Sequence, residues 1–386
     1  MLRGALLGGL LLLSLFHVGV AGPPDRPAGP LATLKSSFMQ TDPMKASPTE
    51  AVVASSFAAA ILSALFKGEA FAAWLAEEVL SGGRLYRWQL AGAAAMALNI
   101  WAVGQPGRLD SEAAQQLQAE KKGSVKLPEA QYGRSQFTPS GWAFSIWGPI
   151  FMGETFFHLL LQFGTLFTPL SAAPFPAIRE TLAKATPAWV GACLFQSLWC
   201  ATFRPRYRMA GGKYLLISSA CLVGAAASLG QYHGIVRESM LADEALGSSK
   251  TLALTLLPHS LHFAWVCAAM LVNTNGAIAV GECSDNVMTT SAVASAAIAS
   301  VLTSTLAILR RAPSVAFVGA WALRGIEDDM KRREEGTRGA GYLSRGARLV
   351  KIACRVGGAI CTVVGIATAV PPSVWGRLSN LLLGKL

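Results

Sequence analysis

The chain has 386 residues, of which 14% are charged and 52% apolar, and it carries a net charge of +11. A soluble domain usually has about 25% charged residues, so the composition excludes an ordinary soluble globule and points to a multi-span membrane protein. The Lys and Arg excess lies in short loops between apolar runs, which is the positive-inside pattern and not that of a nucleic-acid module.

Residues 1–22, MLRGALLGGLLLLSLFHVGVAG, have the parts of a secretory signal peptide: Arg3, an apolar run, then Val20 and Ala21 near a plausible cut. An uncleaved anchor is the alternative. Residues 23–85 read as a targeting and linker region, rich in Pro, Ser and Ala at its start. A signal peptide followed by such a segment has the composition of proteins bound for complex plastids. The expected location is a membrane of the secretory pathway or of a plastid. Within this region, residues 51–66 are apolar and Ala-rich but too short to cross a bilayer, which takes about 20 residues. They predict a peripheral helix or part of the targeting signal.

Eight apolar segments follow. They are Arg87–Val103, a second running from the aromatic stretch FTPSGWAFSIWGPIF to about Phe167, Pro187–Phe203, Lys213–Tyr232, Leu252–Val280, Val287–Leu309, a short Pro313–Ile326, and Leu349–Val370. The loops after the first, third and seventh hold five, four and six Lys or Arg, counting Lys213, and the loop after the fifth holds none. The loops after the second, fourth and sixth hold two each, so the first set is expected on the cytosolic or stromal side. Six of the seven cysteines, all but Cys283, fall inside apolar runs, and they read as small packing residues. The Ser and Thr of the sixth segment read the same way, as close helix contacts.

The aromatic stretch carries most of the functional signal. Pro139, Trp142, Phe144 and Trp147 stand where a loop becomes a helix, spaced so that the rings can flank one pocket. The third segment has Gln196, Trp199 and Phe203, and the fifth has Pro258, His262, Trp265 and Asn273. Asn99 lies in the first segment and Trp321–Ile326 in the seventh. In this order the motifs resemble the translocator protein / tryptophan-rich sensory protein family (TspO/MBR), in a divergent branch with extra C-terminal helices. Gln196 stands where the family has Asn, and the sterol motif of animal relatives is missing from the end of the fifth segment.

The resemblance implies an all-α polytopic membrane bundle: five family-like helices over residues 86–281, further helices over 282–372, and a C-terminal tail over 373–386. It also implies a flat apolar ligand, a tetrapyrrole such as protoporphyrin or haem, with a sensory or transport role. Asn99, Trp142, Phe144, Trp147, Gln196, Trp199, His262, Trp265 and Asn273 are the expected ligand contacts. Interhelical hydrogen bonding is the competing reading for the amides, worth about 0.6 kcal/mol each. Glu154 and His158, one helical turn apart, are read as a proton-responsive pair or a ligand contact, with a structural pair near a wet cavity as the competing reading. His259 and His262 share a face, but no third ligand follows at useful spacing, so no metal site is expected. No P-loop, GxSxG or strand-borne GxGxxG occurs, and an enzyme is not the expected class. A transporter of small apolar or amphipathic solutes and a porphyrin-modifying enzyme are the competing functions. Expected partners are the lipid bilayer and a small apolar ligand, with homodimerisation an open option and nucleic acid not expected.

Overall fold

In the computed structural model the described residues are 73–80, 85–105, 108, 135–161, 175–204, 207, 212–247, 250–281, 283–336 and 345–370. The signal peptide, residues 51–66 and the C-terminal tail lie outside them. The eight apolar segments are eight helical elements. These are α1 Arg87–Gly104, α2 Trp147–Thr155, α3 Phe175–Thr202, α4 Gly212–Ala242, α5 Lys250–Val280, α6 Asp285–Arg310, α7 Pro313–Gly336 and α8 Arg345–Ala369. A tight 3-10 run, Gly141–Ile146, leads into α2, and a π-helical turn, Phe156–Leu161, follows it. The architecture is an all-α membrane bundle. Among the described residues, four helical stretches are long and apolar enough to cross a bilayer: Tyr214–Ala242, Leu256–Val280, Asp285–Arg310 and Gly346–Ala369.

Several helices outrun the apolar segments that announced them. α3 begins at Phe175, so Pro187 sits inside it and does not start it. α7 continues through the charged run to Gly336 because its charges pair along the helix. Arg324 meets Glu327 at 2.8 Å and Arg332 meets Asp328 at 3.0 Å, three and four residues apart. A feature that hydropathy did not announce is a small hairpin, β1 Glu78–Leu80 with β2 Leu85–Tyr86, immediately before α1. It is tied to α3 by Arg179, which donates to the Tyr86 hydroxyl at 2.9 Å.

The chain divides into two compact units. The first contains the hairpin, α1, the π-helical turn, α3 and α4, with α3 packed along both α1 and α4. Its centre is aromatic: Trp88, Trp189 and Tyr232 are fully buried, and Trp189 donates to the Gly92 carbonyl at 3.1 Å. Leu90, Leu98, Ile100 and Trp101 of α1 are exposed.

The second unit contains residues 135–154 and α5 to α8. Its packing rests on small residues, because lipid gives helices little hydrophobic reason to associate and close backbone approach must do so instead. α6 buries one face of Ala292, Ser295, Ala296, Ala299, Ser300, Thr303, Ser304 and Ala307. Ser300 donates to the Gly357 carbonyl of α8 at 3.2 Å. The opposite pattern marks α8, where Leu349, Ile352, Val356, Ile360, Val363 and Ile366 form an exposed apolar stripe while Val350, Cys354 and Cys361 are buried. Arg311 ends α6 in the left-handed conformation, and Pro313 starts α7 two residues on.

Glu327 binds α7 to α8. Its carboxylate receives Arg324 and Arg355, each at 2.8 Å. Burial pushes this carboxyl up, but the two arginine hydrogen bonds and charges outweigh it and hold it below the ordinary glutamate range.

Candidate functional site

The aromatic stretch is held at one end by α7. Trp142 donates its indole N–H to Asp328 Oδ2 at 2.8 Å, and the Ser140 hydroxyl donates to the same oxygen at 3.0 Å. Trp142 also stands edge-on to Trp321, with centroids 4.7 Å apart at 84°. Trp321 in turn donates to the Ala143 carbonyl at 2.8 Å, and the Ser140 amide donates to the Gly325 carbonyl at 2.9 Å. Gly325 is required by this approach. A Cβ there would lie 2.7 Å from the Ala143 Cβ. The Trp321–Ile326 motif of the sequence is therefore the clamp for the 3-10 run. Trp321, Gly325 and Asp328 recur at helical spacing on one face of α7. Asp328 was not among the residues singled out from the sequence, although that spacing from Trp321 could have found it.

The clamp has a pH signature. Burial pushes the Asp328 carboxyl up, but hydrogen bonds from Trp142 and Ser140 and the nearby Arg332 outweigh it and hold it below the usual aspartate range. A carboxylate depressed on folding contributes stability above its unfolded pKa, and that contribution is lost as pH falls through the folded pKa. We expect thermal stability to drop as the buffer is taken below about pH 4, the unperturbed aspartate value, with the drop smaller in Asp328→Asn. Superimposable acid profiles for the two proteins would remove Asp328 from this role.

Beyond the clamp, the run enters an aromatic cluster formed with α5. Phe144 meets Trp265 edge-on at 5.6 Å, and Trp147 meets it edge-on at 6.3 Å. Trp147 stacks on Phe151 at 5.1 Å and 19° and stands edge-on to His262 at 5.5 Å. Phe151 lies 6.3 Å from the same imidazole. The backbones come close here because Gly153 faces Pro258, where a Cβ would fall 2.7 Å from the proline Cβ. Pro258 also frees a backbone carbonyl within α5.

At the inner end of the cluster, His262 Nδ1 and Glu154 Oε1 are 2.7 Å apart, and both side chains are essentially inaccessible to solvent. Glu154 Oε2 and His262 Nε2 are buried with no hydrogen-bond partner among the described residues. The partner that spacing suggested for Glu154 was His158. The structure gives the carboxylate His262, from a different helix. His158 lies in the π-helical turn and stacks face to face on Trp189 at 4.2 Å.

The other expected ligand contacts are distributed as follows. Asn273 is buried on α5 and donates to the Ala269 carbonyl one turn back at 3.1 Å. Asn99, Gln196 and Trp199 belong to the first unit. Asn99 donates to Gln196 at 3.1 Å, leaving Asn99 Oδ1 and Gln196 Nε2 buried without a partner among the described residues. Trp199 stacks on Phe203 at 5.4 Å, with the Arg108 guanidinium 5.5 Å from its ring centre.

Membrane-spanning helices, small-residue packing and a clamped run of tryptophans define a polytopic α-helical membrane protein of the TSPO type. The chain belongs to the TSPO-like protein family, whose profile matches residues 113–366, about two thirds of its length. No curated protein and no solved structure matches it.

Proposed function

We propose that this membrane protein binds a flat apolar ligand of the tetrapyrrole class, such as protoporphyrin or haem, in a sensory or transport role. The observation that carries the reading is the cluster of Phe144, Trp147, Phe151 and Trp265 around His262, with ring centres 5.1 to 6.3 Å apart. A site for such a ligand is mostly apolar with a few placed polar groups. The rings would supply the apolar walls, and the imidazole is the polar group among them. The indole of Trp142, already engaged by Asp328, would serve at the outer end of the run. Within the first unit alone, Asn99, Gln196 and Trp199 are proposed as contacts for a small ligand, where the buried amide pair has one donor and one acceptor to offer. The same amide pair favours the second reading, transport of small amphipathic solutes.

Purified protein titrated with protoporphyrin, followed by quenching of tryptophan fluorescence, tests the binding. Saturable quenching at micromolar ligand is the expected result, and quenching that rises linearly without saturation would count against it. Flux into proteoliposomes separates transport from sensing. Product formation in the dark would indicate a porphyrin-modifying enzyme. For the amino terminus we propose cleavage after about residue 21, on the strength of Arg3 and the apolar run that follows.

A further inference from the structure

We propose that the start of α8, together with Arg324 of α7, holds the phosphate of an anionic phospholipid, so that this face of the protein selects anionic over zwitterionic lipid. The proposal is independent of the tetrapyrrole reading. α8 opens with a two-sided pattern. Arg348, Lys351 and Arg355 recur three and four residues apart and so share one face. Each is followed at once by an apolar residue, Leu349, Ile352 and Val356, exposed at 50%, 53% and 53%. These form a second stripe, about 100° further round the helix. A basic stripe thus runs beside an apolar one, which suits a charged headgroup and its acyl chains.

The charges at this face do not cancel. The Glu327 carboxylate receives Arg324 Nη1 and Arg355 Nε, so one negative charge serves two guanidiniums. The Glu327 side chain is only 6% exposed, whereas those of Arg324 and Arg355 are 67% and 64% exposed. A guanidinium carries five N–H donors in a fork that matches phosphate, and each of these gives one nitrogen to Glu327. Exposed Arg348 adds a charge about 10 Å along the axis, two turns towards the helix start. Of the next acids on α7, Asp328 already answers Arg332 at 3.0 Å and Asp329 is buried. Depth points to lipid as the counter-charge. Val356–Ala369 carries no charge and covers about 21 Å at 1.5 Å per residue, short of a hydrocarbon core of about 30 Å. A crossing by α8 therefore draws Arg355 to the edge of the hydrocarbon, where long basic side chains reach for the headgroups. A basic cluster beside a span on the Lys- and Arg-rich side is placed to attract anionic lipid. A soluble anion has no tails to cover the apolar stripe.

The test titrates the purified full chain, in detergent, with phosphatidylglycerol and with phosphatidylcholine, and counts retained lipid by native mass spectrometry. The parent should hold phosphatidylglycerol saturably and about tenfold more tightly, a difference of about 1.4 kcal/mol. Arg348→Gln removes one charge without touching the Glu327 pair. It should weaken phosphatidylglycerol by about fivefold, equal to about 1 kcal/mol, and leave phosphatidylcholine unchanged. Arg348→Lys should retain the parent preference. Glu327→Gln should tighten phosphatidylglycerol, because both guanidiniums then lack their counter-charge; a carboxylate that only braced the helices would give equal or weaker retention. If Glu327→Gln does not fold, Arg348→Gln decides alone. Equal retention of the two lipids by the parent overturns the proposal. An Arg348→Gln variant that keeps the full preference also overturns it. Displacement of the lipid by millimolar inorganic phosphate would assign the guanidiniums to a soluble anion, with the same consequence. A lipid-free dimer that Val356→Asp dissociates would make the stripe an interface between copies, and that too would end the proposal.

Discussion

The His262→Leu variant should be the least stable single substitution in the aromatic cluster, and adding Glu154→Leu should recover most of the loss. Both side chains are inaccessible and share one hydrogen bond of 2.7 Å. Removing the imidazole leaves the Glu154 carboxyl group in an apolar site without its partner, and breaking one side of a buried pair costs about 3–5 kcal/mol. Glu154→Leu alone leaves an imidazole nitrogen unsatisfied, which costs about 1–3 kcal/mol. The double variant removes both groups, and replacing a whole buried pair by apolar residues is often neutral or stabilising. The expected order of melting temperatures in detergent is therefore parent and double variant highest, Glu154→Leu lower, and His262→Leu lowest. Polar pairs in membranes tend to fall at the small end of such ranges, because the unfolded reference state also finds partners. The order still decides: a double variant no more stable than His262→Leu would mean that the two groups do not act as a pair.

The partner of Glu154 marks a boundary of what the sequence could convey. A one-turn spacing brings two side chains together only while the helix keeps its regular winding. The chain passes into a π-helical turn at Phe156, between Glu154 and His158, and the regular spacing ends there. The carboxylate meets an imidazole from α5, and nothing in local spacing announces a contact between residues 108 positions apart. Asp328 is a similar case. It sits in a run of charges that reads as a solvated loop, yet helical pairing extends α7 through that run and turns the aspartate towards Trp142. The hairpin at 78–86 was hidden because two and three residues are too few for a strand period to register.

What was legible rests on signals that survive tertiary context. The bilayer demands long apolar runs and satisfied backbones, so hydropathy marked the eight helical elements, four of which, among the described residues, are long and apolar enough to cross it. The Ser and Thr of the sixth segment read as close-packing residues, and Ser295, Ser300, Thr303 and Ser304 lie on the buried face of α6. The Pro313 start of α7 follows from a fixed φ and a missing N–H at a helix entrance. The aromatic stretch reads from its spacing as rings flanking one pocket. The geometry divides it along its length, with Trp142 in the polar clamp and Trp147 in the ring cluster.

That division yields the last expected result. Trp147→Ala should weaken protoporphyrin binding by more than tenfold, about 1.4 kcal/mol, whereas Trp142→Phe should cost mainly stability. Trp147 contacts Phe151, His262 and Trp265, so its removal opens the wall of the proposed site and frees each of those rings to shift. Large-to-small changes at packed aromatic positions cost about 3–5 kcal/mol when fully buried. Trp147 is only partly buried, so a folded variant with a damaged site is the expected product. Trp142→Phe keeps a ring edge-on to Trp321 but removes the donor to Asp328, a hydrogen bond to a charged group worth about 1.5–3 kcal/mol. Its loss should appear as a lower melting temperature and a shallower acid dependence, with the dissociation constant changed by less than about threefold, or roughly 0.6 kcal/mol. If the two variants weaken porphyrin binding equally while both remain folded, the run acts as one undivided surface and the separation of clamp from site fails. If neither changes binding, the aromatic stretch serves the membrane interface and the ligand site must be sought elsewhere in the bundle.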